Sequence, residues 1–343
     1  MNAPTRFCRG SFVSVARRSG ILAASVTTLL TGAFSSTLRA ADGTWTGAFT
    51  SGGASANFTN TANWLGGTVA GGVDATASFV FDPFSDAGSV PLSRIAGGLV
   101  FNAATTLGNL VFDDLDGLGG ASISLNVGAG GVQPLTLAVS VPLFPPTITV
   151  GALLNSEVNA RKAVVNANVL GTDGLRKNGP GWLSFRTGTA NTISGPYWIE
   201  GGLVEQRSQF SNVDLVQVSG GATLVLDFST SGLAGTNRLN PAAPLILGGL
   251  GGGGVVTHTY AAGASNHTQT FNGVILQPGA SQMLLATSGL GQSMTYQLGT
   301  IVNIGGGTLN FARPAPGGGG MFVANTATNG ILGGWATVGG FFA

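Results

Sequence analysis

The chain is poor in charge, in histidine and in cysteine. Of its 343 residues only 8% are charged, two are histidines and one is a cysteine. Cys8 precedes the first apolar run, so the rest of the chain offers no disulfide, no thiol nucleophile and no cysteine metal site. The low charge and the many large apolar residues also argue against disorder.

Helical periodicity is missing as well. From Asp42 to Ala343 no stretch keeps helical spacing for more than a turn or two, and 58 glycines would weaken any helix. Short alternating apolar runs closed by Gly or Asn recur instead, such as "GGLVF", "SISLNV", "TITV" and "IVNIGGGTLNF". Strands of about four to six residues are therefore predicted, and their irregular spacing favours a solenoid over a sandwich.

Residues 1–40 have the composition of a secretory signal peptide. Four arginines precede an apolar run from Ile21 to Phe34, and small residues follow at Ala40 and Ala41. The pair Arg17 and Arg18 leaves twin-arginine export as an alternative. The apolar run is too short and too rich in hydroxyl groups to predict a membrane span, so none is expected in the mature chain.

Removal of this segment would make the protein mildly acidic. Five of the fourteen basic residues lie within residues 1–40, so nine remain against thirteen acids. Nucleic-acid binding needs clustered Lys and Arg, and none is present, so a nucleic-acid partner is excluded.

The rest of the chain is divided into an N-terminal β region, residues 41–115, and a parallel β-helix region, residues 116–343. In a parallel solenoid each strand pairs with the turns above and below it, so backbone groups find partners without any helix. Gly and Asn suit the corners because both tolerate positive φ. The composition therefore predicts an all-β fold, a parallel β-helix with Gly- and Asn-rich turns.

One stretch, "GLRKNGPGWLSFRTGTANTISGPYWIEGGLVEQ" from Gly174 to Gln206, carries a longer motif. It closely resembles the autotransporter-associated β-strand repeat, also called the passenger-associated transport repeat. Ile193 stands where the family prefers Tyr, and Pro196 follows Gly195 where Thr is more usual. The positions that match the repeat are Gly174, Leu175, Lys177, Gly179, Gly181, Leu183, Asn191, Gly195 and Leu203.

The resemblance implies a right-handed parallel β-helix exported as a passenger. In such a repeat the glycines make corners, Leu175, Leu183 and Leu203 point into the inner stack, and Lys177 faces outward. Longer relatives end in an outer-membrane barrel or a sorting tail, so a truncated passenger or a short family member is expected here. The implied partners are surface glycans or other cell-surface proteins.

Three aromatic residues of this stretch form the candidate binding site. Trp182, Tyr197 and Trp198 could stack against sugar rings, since aromatic faces pack on pyranose C–H groups. The alternative is that they fill corners or the core of the solenoid. Arg176 and Lys177 are interpreted as outward residues at a turn rather than as a site for anionic glycans.

The remaining candidates for chemistry are weaker. Glycoside cleavage needs two carboxyl groups about 5–10 Å apart, and the possible pairs are Glu200 with Glu205 and Asp214 with Asp227. Neither pair lies in a pattern typical of polysaccharide-cleaving enzymes. The cluster Asp113, Asp114 and Asp116 lacks a calcium-loop pattern, and His258 and His267 lack companion ligands. No cofactor motif is present, so a non-catalytic structural or adhesive protein is predicted, with a glycan-binding module or a polysaccharide-cleaving enzyme as alternatives.

Overall fold

Short alternating runs of this chain form strands, as their period of two requires. The computed structural model describes residues 40–45, 57–81, 99–101, 104–114, 123–127, 134–141, 144–151, 162–186, 191–229, 237–260, 266–285, 293–312, 319–325, 332–339 and 341–342. Leu38–Ala343 form one unit. Apart from Ala40, the predicted signal peptide lies outside the described residues.

The described residues contain two short 3-10 turns, Thr61–Asn63 and Leu65–Gly67, and strands that are joined by turns and loops. In chain order the strands are β1 (Gly43–Thr44), β2 (Thr76–Phe81), β3 (Leu99–Phe101), β4 (Thr105–Leu107), β5 (Asn109–Asp114), β6 (Ile123–Val127), β7 (Pro134–Leu137), β8 (Thr147–Val150), β9 (Lys162–Asn166), β10 (Asn168–Gly171), β11 (Leu175–Asn178), β12 (Trp182–Phe185), β13 (Thr192–Ile199), β14 (Leu203–Gln206), β15 (Asn212–Val218), β16 (Thr223–Phe228), β17 (Leu245–Leu247), β18 (Val255–Tyr260), β19 (Asn266–Thr270), β20 (Val274–Leu276), β21 (Ala280–Met283), β22 (Ser293–Gly299), β23 (Ile301–Asn303), β24 (Thr308–Phe311), β25 (Gly319–Val323), β26 (Ala336–Val338) and β27 (Phe341–Phe342).

These strands pair into three sheets. The first sheet has thirteen strands, with β1-β2-β5-β8-β11-β13-β15-β17-β20-β23 as its main path and β4, β7 and β10 joined through β13. The second sheet has eleven, in the order β27-β26-β24-β21-β18-β16-β14-β12-β9-β6-β3, and the third is β19-β22-β25. The chain passes from one sheet to another and returns, and apart from β26 with β27 each strand pairs in parallel with strands of neighbouring turns, so the fold is a parallel β-helix.

Register places one residue of each turn above the next. In the first sheet Leu175 lies opposite Tyr197, which lies opposite Val216, and the column continues through Leu245 to Val274. All five side chains are fully buried. Because side chains alternate between the two faces of a strand, the intervening residues face outward.

The two ends of the β-helix differ. Near β1, the ring of Trp64 packs edge-on against Trp45 at 5.2 Å and against Phe58 at 4.8 Å, and its indole nitrogen donates to the Phe58 carbonyl at 2.7 Å. At the other end β26 and β27 pair antiparallel, whereas every other pair of described strands is parallel.

The first sheet crosses the boundary predicted at residue 115. Strand β5, which ends at Asp114, pairs with β8, which begins at Thr147. Both segments therefore contribute to one continuous ladder. None of the helical turns in the described part of the chain is long and apolar enough to cross a bilayer.

Candidate functional site

The repeat-like stretch forms strands β11 to β14 in the middle of the β-helix. Gly174, Gly179 and Gly195 lie at its corners with φ of 80°, 78° and 87°. Gly181 serves a different purpose, because a Cβ there would lie 2.1 Å from the carbonyl oxygen of Gly151 on the preceding turn. Turns of the chain therefore approach each other too closely at this corner for any side chain.

The prediction that Lys177 faces outward is wrong. Lys177 is fully buried and lies in an inner column, opposite Ile148 on one side and Ile199 on the other. Its Nζ donates hydrogen bonds to the carbonyl oxygens of Gly179, Gly181 and Gly201, the last two at 2.7 Å. The corner supplies the acceptors that a buried ammonium group needs.

Burial lowers the pKa of Lys177 from its ordinary 10.5 to about 7. The three carbonyl acceptors oppose this effect, because they stabilise the charged form. The sequence indicates that Lys177 is buried, because residues 175 and 177 share one face of a strand and Leu175 is buried.

The prediction for Leu203 is also wrong. Leu203 is half-buried and lies opposite Trp182 and Thr223 on the outer face of the second sheet, while the next residue, Val204, is fully buried. Leu175 and Leu183 lie in the interior. Asn191 is buried, and its Oδ1 accepts a hydrogen bond from the backbone nitrogen of Val169 at 2.8 Å. This bond ties β10 to the start of the next turn.

Tyr197 is a core residue and not a glycan contact. Its ring is fully buried and packs against Phe210 at 5.5 Å, and its hydroxyl donates to Oε1 of Gln206 at 3.3 Å. Burial raises the pKa of this hydroxyl well above 10. The expectation that Tyr197 contacts a ligand is therefore wrong, because no sugar can reach the ring.

Trp182 lies on the outer face of the second sheet. The ammonium of Lys162 sits 4.5 Å from the centre of its ring and pairs with Oε2 of Glu205 at 2.8 Å. Ser184 donates to the same carboxylate oxygen. The indole nitrogen of Trp182 is buried without a hydrogen-bond partner. This cluster engages Trp182 within the protein and leaves it half-buried.

Trp198 lies on the outer face of the first sheet, between the buried residues Tyr197 and Ile199. The guanidinium of Arg176 lies 5.6 Å from the centre of its ring, and Nε of Arg176 is 3.4 Å from Oε2 of Glu200. Trp182 and Trp198 thus belong to different sheets. The predicted platform of three aromatic residues is not assembled.

Trp198 belongs instead to an outward column of the first sheet. Register places it opposite Arg176 and Gln217, and the column continues on later turns. This outer column consists of Arg176, Trp198, Gln217, Ile246, Ile275 and Val302. Val302 is 48% exposed, and the other five are half-buried. One residue per turn therefore contributes to a mostly apolar line along the β-helix.

The members of each candidate carboxylate pair lie on different elements of the fold. Asp214 is exposed on β15 in the first sheet, whereas Asp227 is buried on β16 in the second. Burial alone would raise the pKa of Asp227. Hydrogen bonds with Ser229 and the ion pair with Arg207, whose Nε donates to Asp227 at 2.7 Å, lower the pKa of Asp227 overall. Glu200 follows β13, whereas Glu205 lies in β14 and is held by Lys162.

The remaining candidates also serve the structure. Nδ1 of His258 lies 3.2 Å from the hydroxyl of Tyr296, and the ring of His267 stacks on Phe228 at 4.8 Å. Asp113 and Asp114 end β5, and Asp116 lies outside the described residues. Where residues are described, no cluster of three His, Cys, Asp or Glu side chains suitable for a metal occurs.

Sequence reasoning missed Arg238. Its side chain is fully buried, its guanidinium lies 4.6 Å from the centre of the Phe228 ring, and its Nε donates to the carbonyl of Asp227 at 2.9 Å. The only signal in the sequence is an isolated cation in the segment "TNRLN".

Comparison with known proteins gives no relative: no family model, no curated protein and no solved structure matches the chain.

Proposed function

We propose that this chain is a non-catalytic structural or adhesive protein, exported and then secreted or displayed at the cell surface like an autotransporter passenger. Its binding surface is the outer column, and its partners are surface glycans or other cell-surface proteins. Residues 1–40 act as the export signal.

The outer column is the observation that supports an adhesive role. Its residues repeat once per turn on a regular parallel sheet, so the surface is long and flat rather than concave. Three β-branched aliphatic residues, Ile246, Ile275 and Val302, follow Trp198 and Gln217 along it. Apolar side chains that remain accessible in a line suit contact with an extended partner.

A binding assay with the purified mature chain tests this proposal. Immobilised protein is exposed to whole cells and to arrays of surface glycans, and retention is compared with that of the double variant Trp198→Ala, Ile246→Ser. We expect the double variant to lose at least about tenfold in affinity, because contacts of about 1.4 kcal/mol or more are removed.

The matched control is Thr223→Ala, which changes a half-buried residue on the outer face of the second sheet. Equal retention of wild type and double variant would show that the outer column is not the binding surface. No retention of the wild type on any cell or glycan would overturn the adhesive role.

A glycan-binding module is the second candidate, and Trp198 favours it. The ring of Trp198 lies on an accessible face and is oriented by Arg176, while Glu200 beside it offers hydrogen-bond acceptors. Binding of soluble oligosaccharides without turnover, lost in Trp198→Ala and kept in Trp182→Ala, would support this candidate over a protein partner.

Release of reducing or unsaturated ends from acidic polysaccharides would support the third candidate, an enzyme. Loss of that release in Asp214→Asn would locate the chemistry. Cell fractionation of the full chain, compared with a chain that lacks residues 1–40, tests export. Accumulation of both chains in the cytoplasm would contradict it.

A further inference from the structure

Arg238 carries a buried guanidinium with two nitrogens that lack partners. The whole residue is inaccessible to solvent, and its Nε donates to the carbonyl oxygen of Asp227. Its Nη1 and Nη2 are buried without any hydrogen-bond partner in the protein. These two nitrogens carry four N–H donors, and leaving a charged donor unsatisfied in the interior costs free energy.

The nearest carboxylate is already engaged. One oxygen of Asp227 accepts from Nε of Arg207 at 2.7 Å. The other accepts from the backbone nitrogen of Ser229 at 2.7 Å and from Oγ1 of Thr259 at 3.1 Å. Arg207 pairs with this carboxylate, whereas Arg238 donates to the backbone carbonyl of Asp227, so a surplus positive charge remains at Arg238.

In the part of the chain that the structure describes, Asp227 is the one acid whose charge acts on Arg238. Asp227 is the last acidic residue of the chain, and neither Asp nor Glu follows it through Ala343. Among the groups packed at the corner, His267 stacks on Phe228. Burial and the charge of Arg238 lower the pKa of His267, so this imidazole is neutral at pH 7 and neither adds to the charge nor offsets it.

Phe228 compensates Arg238 in part. The guanidinium carbon lies 4.6 Å from the centre of the aromatic ring, which is within the range of a cation–π contact. The aromatic face attracts the cation but offers no oxygen to the in-plane donors of Nη1 and Nη2. One bound group could therefore both neutralise the surplus positive charge and accept hydrogen bonds from Nη1 and Nη2.

We propose that Nη1 and Nη2 of Arg238 bind a small monovalent inorganic anion such as chloride. A single anion accepts hydrogen bonds from both nitrogens and neutralises the surplus charge, whereas a water molecule would satisfy donors and leave the charge. The complete burial of Arg238 favours a small ion over an organic carboxylate. The bound anion stabilises the packing of Arg238 against Phe228.

Thermal unfolding of the mature protein in two salts tests the proposal. Sodium chloride is compared with sodium gluconate at equal ionic strength, because gluconate is a much larger monovalent anion than chloride. A ligand that binds only the folded state raises the midpoint of unfolding. We expect chloride to raise it saturably by about 3 °C more than gluconate does.

Two variants test whether Arg238 is responsible for the stabilisation by chloride. Arg238→Met is expected to abolish the difference between the salts. Arg186→Met is the control, because Arg186 occupies the position one turn before Arg207. The backbone nitrogen of Arg186 donates to the carbonyl oxygen of Val165, as the backbone nitrogen of Arg207 donates to that of Phe185. An equal chloride effect in wild type and Arg238→Met would overturn the site.

A crystallographic measurement covers the case in which Arg238→Met does not fold. Wild-type crystals are grown in sodium bromide, and an anomalous peak within about 3.5 Å of Nη1 and Nη2 is expected, since hydrogen-bonded partners lie near that distance. Bromide peaks only at other positions, or at none, would show that the anion does not bind there.

Discussion

The ammonium group of Lys177 donates a hydrogen bond of 2.7 Å to the carbonyl oxygen of Gly201, 24 residues further along the chain. Two more bonds reach Gly179 and Gly181 on its own turn. A single side chain therefore fastens one corner of the β-helix to the next turn from within the core.

Removing this ammonium should destabilise the protein. Lys177→Met keeps an apolar chain of similar length in the column but leaves buried carbonyl oxygens without their donor. We expect a loss of about 1–3 kcal/mol in the free energy of unfolding, measured in urea. The neighbouring variant Arg176→Met changes a partly exposed ion pair and should cost less than about 1 kcal/mol.

The buried lysine should also make stability depend on pH. In the folded protein the pKa of Lys177 is lowered from 10.5 to about 7. Between these values the unfolded state binds more protons, so the free energy of unfolding rises with pH, by up to about 1.4 kcal/mol per unit. The rise begins near pH 7 and should be followed to about pH 9.5, below the range in which tyrosines of the unfolded chain ionise.

Lys177→Met provides the comparison for this pH profile. The variant should lose the rise while keeping every other titrating group. A wild-type profile parallel to that of the variant would mean that the three carbonyl groups hold Lys177 charged throughout this range.

Two glycines with similar backbone angles should respond differently to alanine. Gly179 and Gly221 have φ of 78° and 73°, so each substitution costs about 1–2 kcal/mol of backbone strain. At Gly179 the added Cβ would lie 2.3 Å from the carbonyl oxygen of Val150, whereas at Gly221 it meets nothing within 4 Å. We expect Gly179→Ala to cost about 1–3 kcal/mol beyond Gly221→Ala in urea unfolding.

The aromatic cluster near β1 should protect that end of the β-helix. Trp64→Ala removes the ring that contacts both Trp45 and Phe58 and should cost about 3–5 kcal/mol locally. In a solenoid each turn contacts only its neighbours, so amide hydrogen exchange should accelerate in β1 and β2 and stay unchanged in β22.

Trp335→Ala is the matched control at the other end, next to β26. It should accelerate exchange in β24 and β26 and leave β2 protected. Uniform acceleration across the chain in either variant would show that the β-helix unfolds as one cooperative unit.

An apolar cavity of about 200 Å³ near the last strands offers a stabilising substitution. It is lined by Leu285, Phe311, Ala312, Met321, Val323, Leu332 and Val338. Ala312→Leu should fill part of it and raise the free energy of unfolding by about 1–2 kcal/mol. Ala324→Leu, at an exposed alanine, should change little; a fall in stability for Ala312→Leu would show that the cavity is too narrow for a larger side chain.

The alternation of short apolar runs could be read directly, because strand periodicity is a local property. The low charge, the missing helical spacing and the many glycines predict short strands, and the irregular spacing of these strands favours a solenoid. Corners at Gly174, Gly179 and Gly195 could also be predicted, since few other residues adopt their backbone angles. The roles of individual side chains were harder to predict.

Lys177, Tyr197 and Leu203 show why. The charge of Lys177 favours an outward position, although Lys177 shares a strand face with Leu175. The carbonyl groups that accept its hydrogen bonds come from two turns and meet only when the corner folds. Tyr197 and Trp198 are adjacent, so one must point inward, and the register with Val216 decides that it is Tyr197.

The sequence by itself determined the class of fold, its strands and its glycine corners, because these follow from local backbone preference and from a period of two. The tertiary structure alone decided which polar groups are buried, since that depends on partners one turn away: Lys177 finds three carbonyl oxygens, while Arg238 keeps two nitrogens without any. Whether a charged side chain is buried depends on the hydrogen-bond partners around it, and the register between turns determines which partners those are.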